Sequence, residues 1–196
     1  MTCSCVVRDF CVQINETWHP TIRWGSGLLS SRPITGVANS APVEITVPGH
    51  GIPAGWPVAV TGVRGMTQLN TNNYPPGKDE FHYTTLVDSD TIQINDISSA
   101  DMATYASGGF VVFDTPQSLA GASAVMNIYD NPDHTGTPLA TLSSSGSGLT
   151  LDDTLKTITP LLQTAGLTWP VGYFTLLVTT AGGVVTELMR GTITLE

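Results

Sequence analysis

Short runs of alternating apolar and polar residues, broken by turn residues, constrain the fold of this chain more than any other feature. Val43, Ile45 and Val47 alternate with polar neighbours, and Ile92 and Ile94 repeat the pattern. A period of two residues places the apolar side chains on one face of a half-buried strand. Similar runs recur along the chain between Gly, Pro, Asn and Asp residues, which favour turns. The sequence therefore predicts an all-β protein.

Runs of β-branched and aromatic residues predict the remaining strands. They cover residues 6–14, 21–24, 56–61, 81–87, 110–113 and 123–128, with a C-terminal hairpin formed by 171–180 and 184–195 around Ala181-Gly182-Gly183. Helical patterns are few. One or two helical turns are predicted at 98–104, and another short helix at 159–166, which has Pro near its start and Gly at its end.

The strand pattern predicts a discontinuous domain organisation. A turn-rich linker at Ser30-Ser31-Arg32-Pro33 precedes a segment with its own strands and candidate core. The first 35 residues hold about two strands, too few for independent stability. Pairing residues 1–35 with 111–196 gives about seven strands, the size of an immunoglobulin-like β-sandwich. Residues 36–110 would then form an inserted small β-barrel; the alternative is a loose N-terminal arm followed by two consecutive domains.

The scarcity of charge bears on function. Charged residues make up 12% of the chain, whereas soluble domains typically contain about 25%. Thr, Ser, Gly and Asn supply the polarity instead, and neutral polar groups cost less to bury than ions. This composition suits a large assembled interface, and it also suits an ordinary β-rich domain whose turns use Gly, Ser and Asn.

Charge and hydropathy exclude other classes of protein. The net charge is -9, and the seven basic residues are scattered singly along the chain, so the clustered cations that nucleic-acid binding needs are missing. No stretch approaches the roughly 18 apolar residues of a membrane span. The first five residues lack the basic and apolar blocks of a secretory signal. We therefore expect a soluble protein that binds neither nucleic acid nor membrane.

Three cysteines lie close together near the N-terminus, at Cys3, Cys5 and Cys11. The odd number and close spacing argue against a disulfide framework. Zinc ligation with His19 is an alternative, because thiolates and imidazole suit this metal. The segment lacks a Cys-x-x-Cys pair and reads as a strand, so we interpret the cysteines as small buried hydrophobic residues and predict neither a metal nor a cofactor.

The candidate catalytic residues lack partners. His50 lies between two glycines with no Asp, Cys or Ser spaced to assist it, and is interpreted as part of a turn. Asp88-Ser89-Asp90 could bind a cation, but the further ligands of a calcium loop are missing, so it is also read as a turn. Asp152-Asp153 is interpreted in the same way. We predict no catalytic residue and no enzyme.

A loop of nine residues, Asn70-Thr71-Asn72-Asn73-Tyr74-Pro75-Pro76-Gly77-Lys78, is long for a connection between two strands. Prolines reduce the entropy lost on docking, and Tyr is frequent in contact surfaces. We predict that this loop contacts a neighbouring subunit or a host-surface glycan; a solvent-exposed turn is the alternative. The candidate interface residues are Asn70, Asn72, Asn73, Tyr74, Pro75 and Pro76.

Two segments resemble modules of tailed bacteriophages. The first comprises APVEITVPGHGIPAGW (41–56), VTGVRGMTQLN (60–70) and YASGG (105–109). It is similar to a small β-barrel module that is frequent in phage tail and virion proteins and is often likened to the first catalytic-cysteine half-domain of ubiquitin-activating enzymes. The resemblance implies architecture and not ubiquitin chemistry, because no cysteine follows Cys11.

The C-terminal part resembles the immunoglobulin-like N-terminal domain of phage baseplate upper proteins. The motifs are LAGA (119–122), AVMNIYD (124–130), LATL (139–142), GLTL (148–151), GYF (172–174) and GTIT (191–194). In that family the domain docks onto the tail and serves as an adaptor. The family's coiled coil and receptor-binding extension do not follow here, which leaves a neck, collar or decorating position open as well.

Together these observations predict a structural component of a tailed-phage virion. Its expected partners are other phage structural proteins and copies of itself in a symmetric ring, and its expected location is the particle. The alternative is a carbohydrate-binding adhesion module for the host surface. A hydrolase of cell-wall glycans is the third and weakest hypothesis.

Overall fold

The computed structural model describes residues 6–196, and the protein is all-β as predicted. The chain divides into two compact units. The first unit comprises the chain up to Trp24 together with Ser118–Glu196. The second unit is the intervening segment Gly25–Gln117.

The strands of the second unit lie, in sequence, between the two parts of the first unit. The N-terminal part of the first unit contributes β1 (Val6–Val7), β2 (Phe10–Val12), β3 (Thr17–Trp18) and β4 (Ile22–Arg23). The second unit contributes β5 (Gly25–Pro33), β6 (Gly36–Val37), β7 (Val43–Thr46), β8 (Pro57–Thr61), β9 (His82–Leu86), β10 (Thr91–Ile94) and β11 (Phe110–Pro116), with 3-10 helices at Thr67–Leu69 and Lys78–Glu80. The C-terminal part contributes β12 (Ser123–Tyr129), β13 (Ala140–Ser143), β14 (Leu149–Asp152), β15 (Thr157–Pro160), β16 (Leu162–Gln163), β17 (Val171–Thr179) and β18 (Val185–Leu195).

The first unit is a β-sandwich with immunoglobulin-like strand order. Its larger sheet runs β1–β18–β17–β12–β13, with β2 also paired to β18. The smaller layer consists of β14–β15–β4 and its continuation β16–β3. Met126, Phe174 and Ile193 from the larger sheet share one buried core with Trp18 and Ile158 from the smaller layer. The order β4–β15–β14 in the smaller layer corresponds to strands B, E and D of an immunoglobulin domain. The order β18–β17–β12–β13 in the larger sheet corresponds to strands G, F, C and C′.

The second unit is a single curled sheet with a barrel-like shape. Its order is β5–β11–β8–β9–β10–β7–β6. The two ends, β5 and β6, belong to one stretch of chain: the Ile34 N–H donates to the Gly109 oxygen (3.0 Å), and the Thr35 N–H donates to the Thr46 oxygen (2.9 Å). The sheet therefore curls until its first strand reaches both edges. Trp56 lies in the core of this unit, and the expected immunoglobulin-like sandwich with an inserted small barrel describes the fold.

The predicted segment boundaries differ from those of the structure. Residues 25–35 and 111–117, which we expected in the sandwich, belong to the second unit. Ser30-Ser31-Arg32-Pro33 is part of β5 and not a linker. The segment lacks β-branched residues, but its backbone pairs with β11 along most of its length, and this tertiary pairing outweighs low intrinsic strand propensity.

Neither predicted helix is present. The helix predicted at 159–166 is wrong, because this segment contains the end of β15 and all of β16. Every second residue is buried, namely Ile158, Pro160, Leu162 and Thr164, which is the pattern of a strand. Residues 100–102 form a turn, and the rest of the segment 98–104 is irregular. The buried Ser99 hydroxyl holds this segment in place by donating to the backbone oxygens of Ala38 and Ser40.

The cysteine prediction is wrong where it can be compared with the structure. Cys3 and Cys5 lie outside the described residues. Cys11 is on β2 as expected, but its side chain is exposed and not buried. A hydrogen bond to Glu196 raises the pKa of this thiol.

Parallel pairing fastens the N-terminal strands to β18. Between β1 and β2, the Arg8 N–H donates to the Arg190 oxygen (2.9 Å). The Asp9 carboxylate accepts the N–H (2.9 Å) and the hydroxyl (2.7 Å) of Thr192. Gly191 lies between these contacts, and a β-carbon at this position would overlap the Arg8 carbonyl group.

The substitution Gly191→Ala is therefore expected to displace the N-terminal strands and to lower the free energy of unfolding by about 1–3 kcal/mol, the usual cost of forced overpacking. Urea denaturation measures the change. Gly146→Ala is the matched control, because a β-carbon there meets only the Ser143 side chain at an ordinary 3.8 Å. Equal stability of the two variants would contradict this account of Gly191.

Candidate interaction surface

The predicted interface loop begins at a residue whose role is structural. Asn70 is half-buried. Its Oδ1 accepts the Val63 N–H (2.8 Å), and its Nδ2 donates to the Val63 oxygen (2.9 Å). The side chain thus forms the two hydrogen bonds that a paired strand residue would form and joins the loop to the preceding turn. Asn70 holds the loop in place and does not project from it.

The rest of the loop is organised around the Glu80 carboxylate. Its Oε1 accepts the N–H groups of Asn72 (2.6 Å) and Asn73 (3.3 Å). Its Oε2 accepts the Gly77 N–H (2.6 Å) and the Asn73 side-chain amide (3.3 Å). These bonds, that from Gly77 first, lower the pKa of Glu80. One carboxylate therefore orders a loop that has no regular secondary structure.

The loop presents its tip to solvent. Tyr74 is 78% exposed, and Asn72, Asn73 and Pro75 are also exposed, whereas Pro76 is half-buried. The structure brings the predicted residues together as one continuous loop. An exposed aromatic ring on a pre-ordered loop can dock with little further loss of conformational entropy.

The strand register places further apolar side chains on the outer face of the curled sheet. Val111 and Phe113 of β11 point into the core, so Phe110, Val112 and Asp114 point to the opposite face, where Val112 is buried and Asp114 is half-buried. Phe110 is 47% exposed. By the same alternation, Leu29 lies beside Asp114, and Tyr83 of β9 lies beside Pro57.

Two grooves lie on this outer face. One, of about 360 Å³, is lined by Ser31, Thr61, Gly62, Tyr74, Phe110 and Val112. The other, of about 480 Å³, is lined by Gly27, Leu29, Pro57, Lys78, Phe81, Tyr83 and Asp114. Tyr74 of the predicted loop lines the smaller groove. Lys78, where the loop meets the short helix, lines the larger one. We call the exposed side chains Leu29, Tyr74, Tyr83 and Phe110 the outer patch.

Asp114 is the acidic group of the larger groove. Burial raises the pKa of its carboxyl group, and this effect exceeds the opposing hydrogen bonds from Gly27 and Ser26. Oδ1 accepts the Gly27 N–H at 2.9 Å. Among residues 6–196, no ion pair to Asp114 is present, although Lys78 lines the same groove. Carboxyl groups whose pKa is shifted by burial are concentrated at functional sites, and this one lies in a groove with the rings of Phe81 and Tyr83.

The other candidate residues occupy turns, as predicted. His50 is 3% exposed; its Nδ1 accepts the Ile52 N–H (2.9 Å), and its Nε2 faces the Asp88 oxygen (3.3 Å).

The Asp88 carboxylate accepts the Asp90 N–H (2.8 Å), which lowers the Asp88 pKa. Asp153 accepts a hydrogen bond from Lys156 Nζ at 2.6 Å, and this lowers the Asp153 pKa. Each carboxylate thus stabilises a local turn.

Within the described chain, no group of three or more His, Cys, Asp or Glu side chains is placed to hold a metal ion. The zinc alternative involves Cys3 and Cys5, which lie outside residues 6–196. None of the helices in those residues has the length and hydrophobicity needed to cross a bilayer.

Sequence reasoning missed Glu80 and three members of the outer patch: Leu29, Tyr83 and Phe110. A Glu three residues after Gly77 was the available signal for Glu80, since that spacing lets a side chain reach back to the start of a short helix. Tyr83 and Phe110 were recognised only as strand residues. Their outward direction depends on the register with neighbouring strands, which the sequence alone does not specify.

No protein-family model matches the chain, and no curated protein matches its sequence.

The role of Glu80 can be measured through the loop. The substitution Glu80→Gln is expected to increase hydrogen exchange at the N–H groups of Asn72, Asn73 and Gly77, because a neutral amide oxygen accepts more weakly than a carboxylate. Since the folded pKa of Glu80 is lowered, wild-type protection should be complete above the ordinary carboxyl range and lost as pH falls through the folded pKa.

The neighbouring substitution Asp79→Asn is the control, because it removes the same charge from the adjacent residue. It should leave exchange in the loop unchanged. Equal acceleration in both variants would show that net charge, and not the hydrogen bonds of Glu80, orders the loop.

Proposed function

We propose that this protein is a non-enzymatic structural component of a tailed-phage virion and acts by packing against other protein subunits. The observation that carries the proposal is the outer patch beside the pre-ordered loop. Four large exposed side chains, Leu29, Tyr74, Tyr83 and Phe110, lie on or beside one sheet face. Exposed apolar groups concentrated in this way mark interaction surfaces.

The chemistry of the surrounding surface supports packing. The loop residues Asn72, Asn73, Tyr74 and Pro75 carry no charge. Burying them removes neutral amides and an aromatic ring from water, which costs less than burying ions. Tyr is also enriched in the centres of protein interfaces. The low charged fraction of the whole chain extends the same argument to its other surfaces.

The phage assignment rests on the sequence resemblances to the virion β-barrel module and the baseplate upper-protein domain. The sandwich with a barrel-like insertion is compatible with both. The proposed partners are other structural proteins of the particle and copies of this chain arranged in a symmetric ring at the neck, tail or baseplate. Localisation to the virion follows from this proposal.

Host-glycan binding is the second candidate function, and one observation favours it. The larger groove combines the rings of Phe81 and Tyr83 with the Asp114 carboxylate and the Lys78 ammonium group. Aromatic rings can stack against the C–H face of a sugar, while charged groups bind its hydroxyls. The groove volume of about 480 Å³ is within the range of small-ligand sites.

The packing proposal predicts that Tyr74→Ser lowers the copy number of this chain in purified particles, because the exposed ring is lost from the interface. Mass spectrometry of particles made from the genome that encodes the chain measures the copy number. Val184→Ser removes a 63%-exposed side chain from the first unit and should leave incorporation unchanged. Absence of the wild-type chain from particles, or full incorporation of the Tyr74 variant, contradicts the proposal.

Glycan binding predicts a different response. Purified wild-type protein would bind host cells or arrayed glycans, and Tyr83→Ala would abolish the signal by removing the stacking ring. Tyr74→Ala is the comparison, since Tyr74 lines the other groove. Lack of wild-type binding to host-surface glycans would eliminate this second function.

A further inference from the structure

Strand β5 leaves a long free edge on the second unit. This nine-residue strand pairs on one side only, with β11, through residues 25 and 29–33. Within the described chain, the other strands that pair on a single side have two to four residues each. Exposed edges are templates for pairing with another chain, and proteins usually keep them short or blocked. The nine-residue β5 is therefore an unusually long strand to be left unpaired on one side.

The hydrogen-bond pattern identifies which backbone groups of β5 face outward. The Ile34 N–H donates to Gly109, which makes these residues a hydrogen-bonded pair of the antiparallel ladder. Along an antiparallel ladder, hydrogen-bonded pairs alternate with pairs that are not hydrogen-bonded to each other. Arg32 and Ser30 therefore direct their N–H and C=O groups toward β11, and Ser31 and Leu29 direct theirs toward the free edge.

Two side-chain contacts agree with this alternation. Thr115 Oγ1 donates to the Leu28 oxygen at 2.8 Å, so Leu28 faces β11 like the other even-numbered residues. Trp56 Nε1 donates to the Asp114 oxygen at 2.8 Å, so the carbonyl group opposite Leu29 points away from β5. Contacts on both β5 and β11 therefore indicate that the backbone N–H and C=O groups of Leu29 and Ser31 face the free edge.

The pairing segment has a defined length. Pro33 has no N–H to donate and ends the edge on one side. Gly27 has φ of +76° and breaks the strand geometry on the other side. Between them, Leu29 and Ser31 present two N–H groups and two C=O groups. Among the described residues, no second strand pairs with these four groups, and the Ser31 oxygen accepts a 3.3 Å hydrogen bond from the adjacent Arg32 side chain.

We propose that two copies of this chain pair through β5, antiparallel across a two-fold axis at Ser30. In this register, Leu29 of one copy is opposite Ser31 of the second. Each pair exchanges two N–H···O bonds, so four bonds use all the outward groups of both copies. The free edge is complementary to itself, which is what an isologous interface requires.

Side chains and charge fit the same register. Arg32 is the ionisable residue of β5, and in the paired strands the two Arg32 residues are offset by four positions, or about 13 Å. This exceeds the screening length of about 8 Å at physiological ionic strength, so their repulsion is weak. Each Arg32 instead lies opposite Leu28, which is 72% exposed, and its methylene groups can cover that side chain. Each copy has a net charge of -9, so two copies repel at long range, and each Arg32 offsets part of this repulsion at the interface.

This inference goes beyond the proposed virion role and does not depend on it, because the purified full-length chain suffices for the test. Sedimentation velocity over a concentration series should show a reversible monomer–dimer equilibrium. Ser31→Pro removes an outward N–H without removing a bond to β11 and should weaken dimerisation about tenfold or more, since two intermolecular bonds are lost. Ser31→Thr keeps the N–H and should dimerise like the wild type.

Disulfide trapping tests the register even if the proline variant misfolds. In a chain with Cys3, Cys5 and Cys11 replaced by Ser, Ser30→Cys places two thiols opposite each other at a non-hydrogen-bonded pair. The Cα separation there is about 4.5 Å, within disulfide range. Ser31→Cys is the comparison and should cross-link far less, because the two residues 31 are offset by two positions.

Efficient dimer formation by Ser30→Cys together with weak cross-linking by Ser31→Cys would support the proposed pairing. A monomeric wild type at all concentrations would overturn it. Equal dimerisation of well-folded Ser31→Pro and Ser31→Thr, or equal cross-linking at positions 30 and 31, would also overturn it. None of these outcomes bears on whether the protein enters a virion.

Discussion

The pairing of β11 with its two neighbours is the constraint on which the rest of the second unit depends. Val111 and Phe113 point into the buried core from this strand. Phe110 and Asp114 point to the opposite face and line the two grooves. Because side chains alternate strictly along a strand, the core-facing residues determine what the outer face can display. A shift of β11 by one residue relative to its neighbours would turn Phe110 of the outer patch toward the core and would expose Val111 and Phe113.

The same ladder fixes the free edge of β5. Hydrogen bonds to β11 use the backbone groups of every second residue, and those that remain face outward. The segment is poor in β-branched residues, so β11 and not local propensity holds it extended. A single register therefore positions the core, the outer patch and the unpaired backbone groups.

The fold could be predicted where one face of a strand is apolar. Alternation at Val43, Ile45 and Val47 identified β7 directly, and the C-terminal hairpin of β17 and β18 was recognised from its turn. Strand β5 was missed because its sequence is rich in Gly and Ser and resembles a linker. The segment 159–166 was misassigned because Pro near the start and Gly at the end suggested a helix, although every second residue is buried.

The candidate surface was only partly predictable for a related reason. The loop around Tyr74 was identified from its length, prolines and aromatic residue, which are properties of the sequence itself. The carboxylate that orders it, Glu80, acts through hydrogen bonds to loop backbone groups, and these require the loop geometry to be known. The outward direction of Phe110 and Tyr83 depends on strand register, which brings together residues far apart in the chain.

The most direct test of the central claim is hydroxyl-radical footprinting of the free subunit and of the same chain within purified particles. The account predicts that Tyr74, Tyr83 and Phe110 are labelled strongly in the free protein and are protected in the particle, while Val184 is labelled equally in both. Unchanged labelling of the three aromatic residues in particles that contain the chain would show that the outer patch faces solvent, and it would contradict the account.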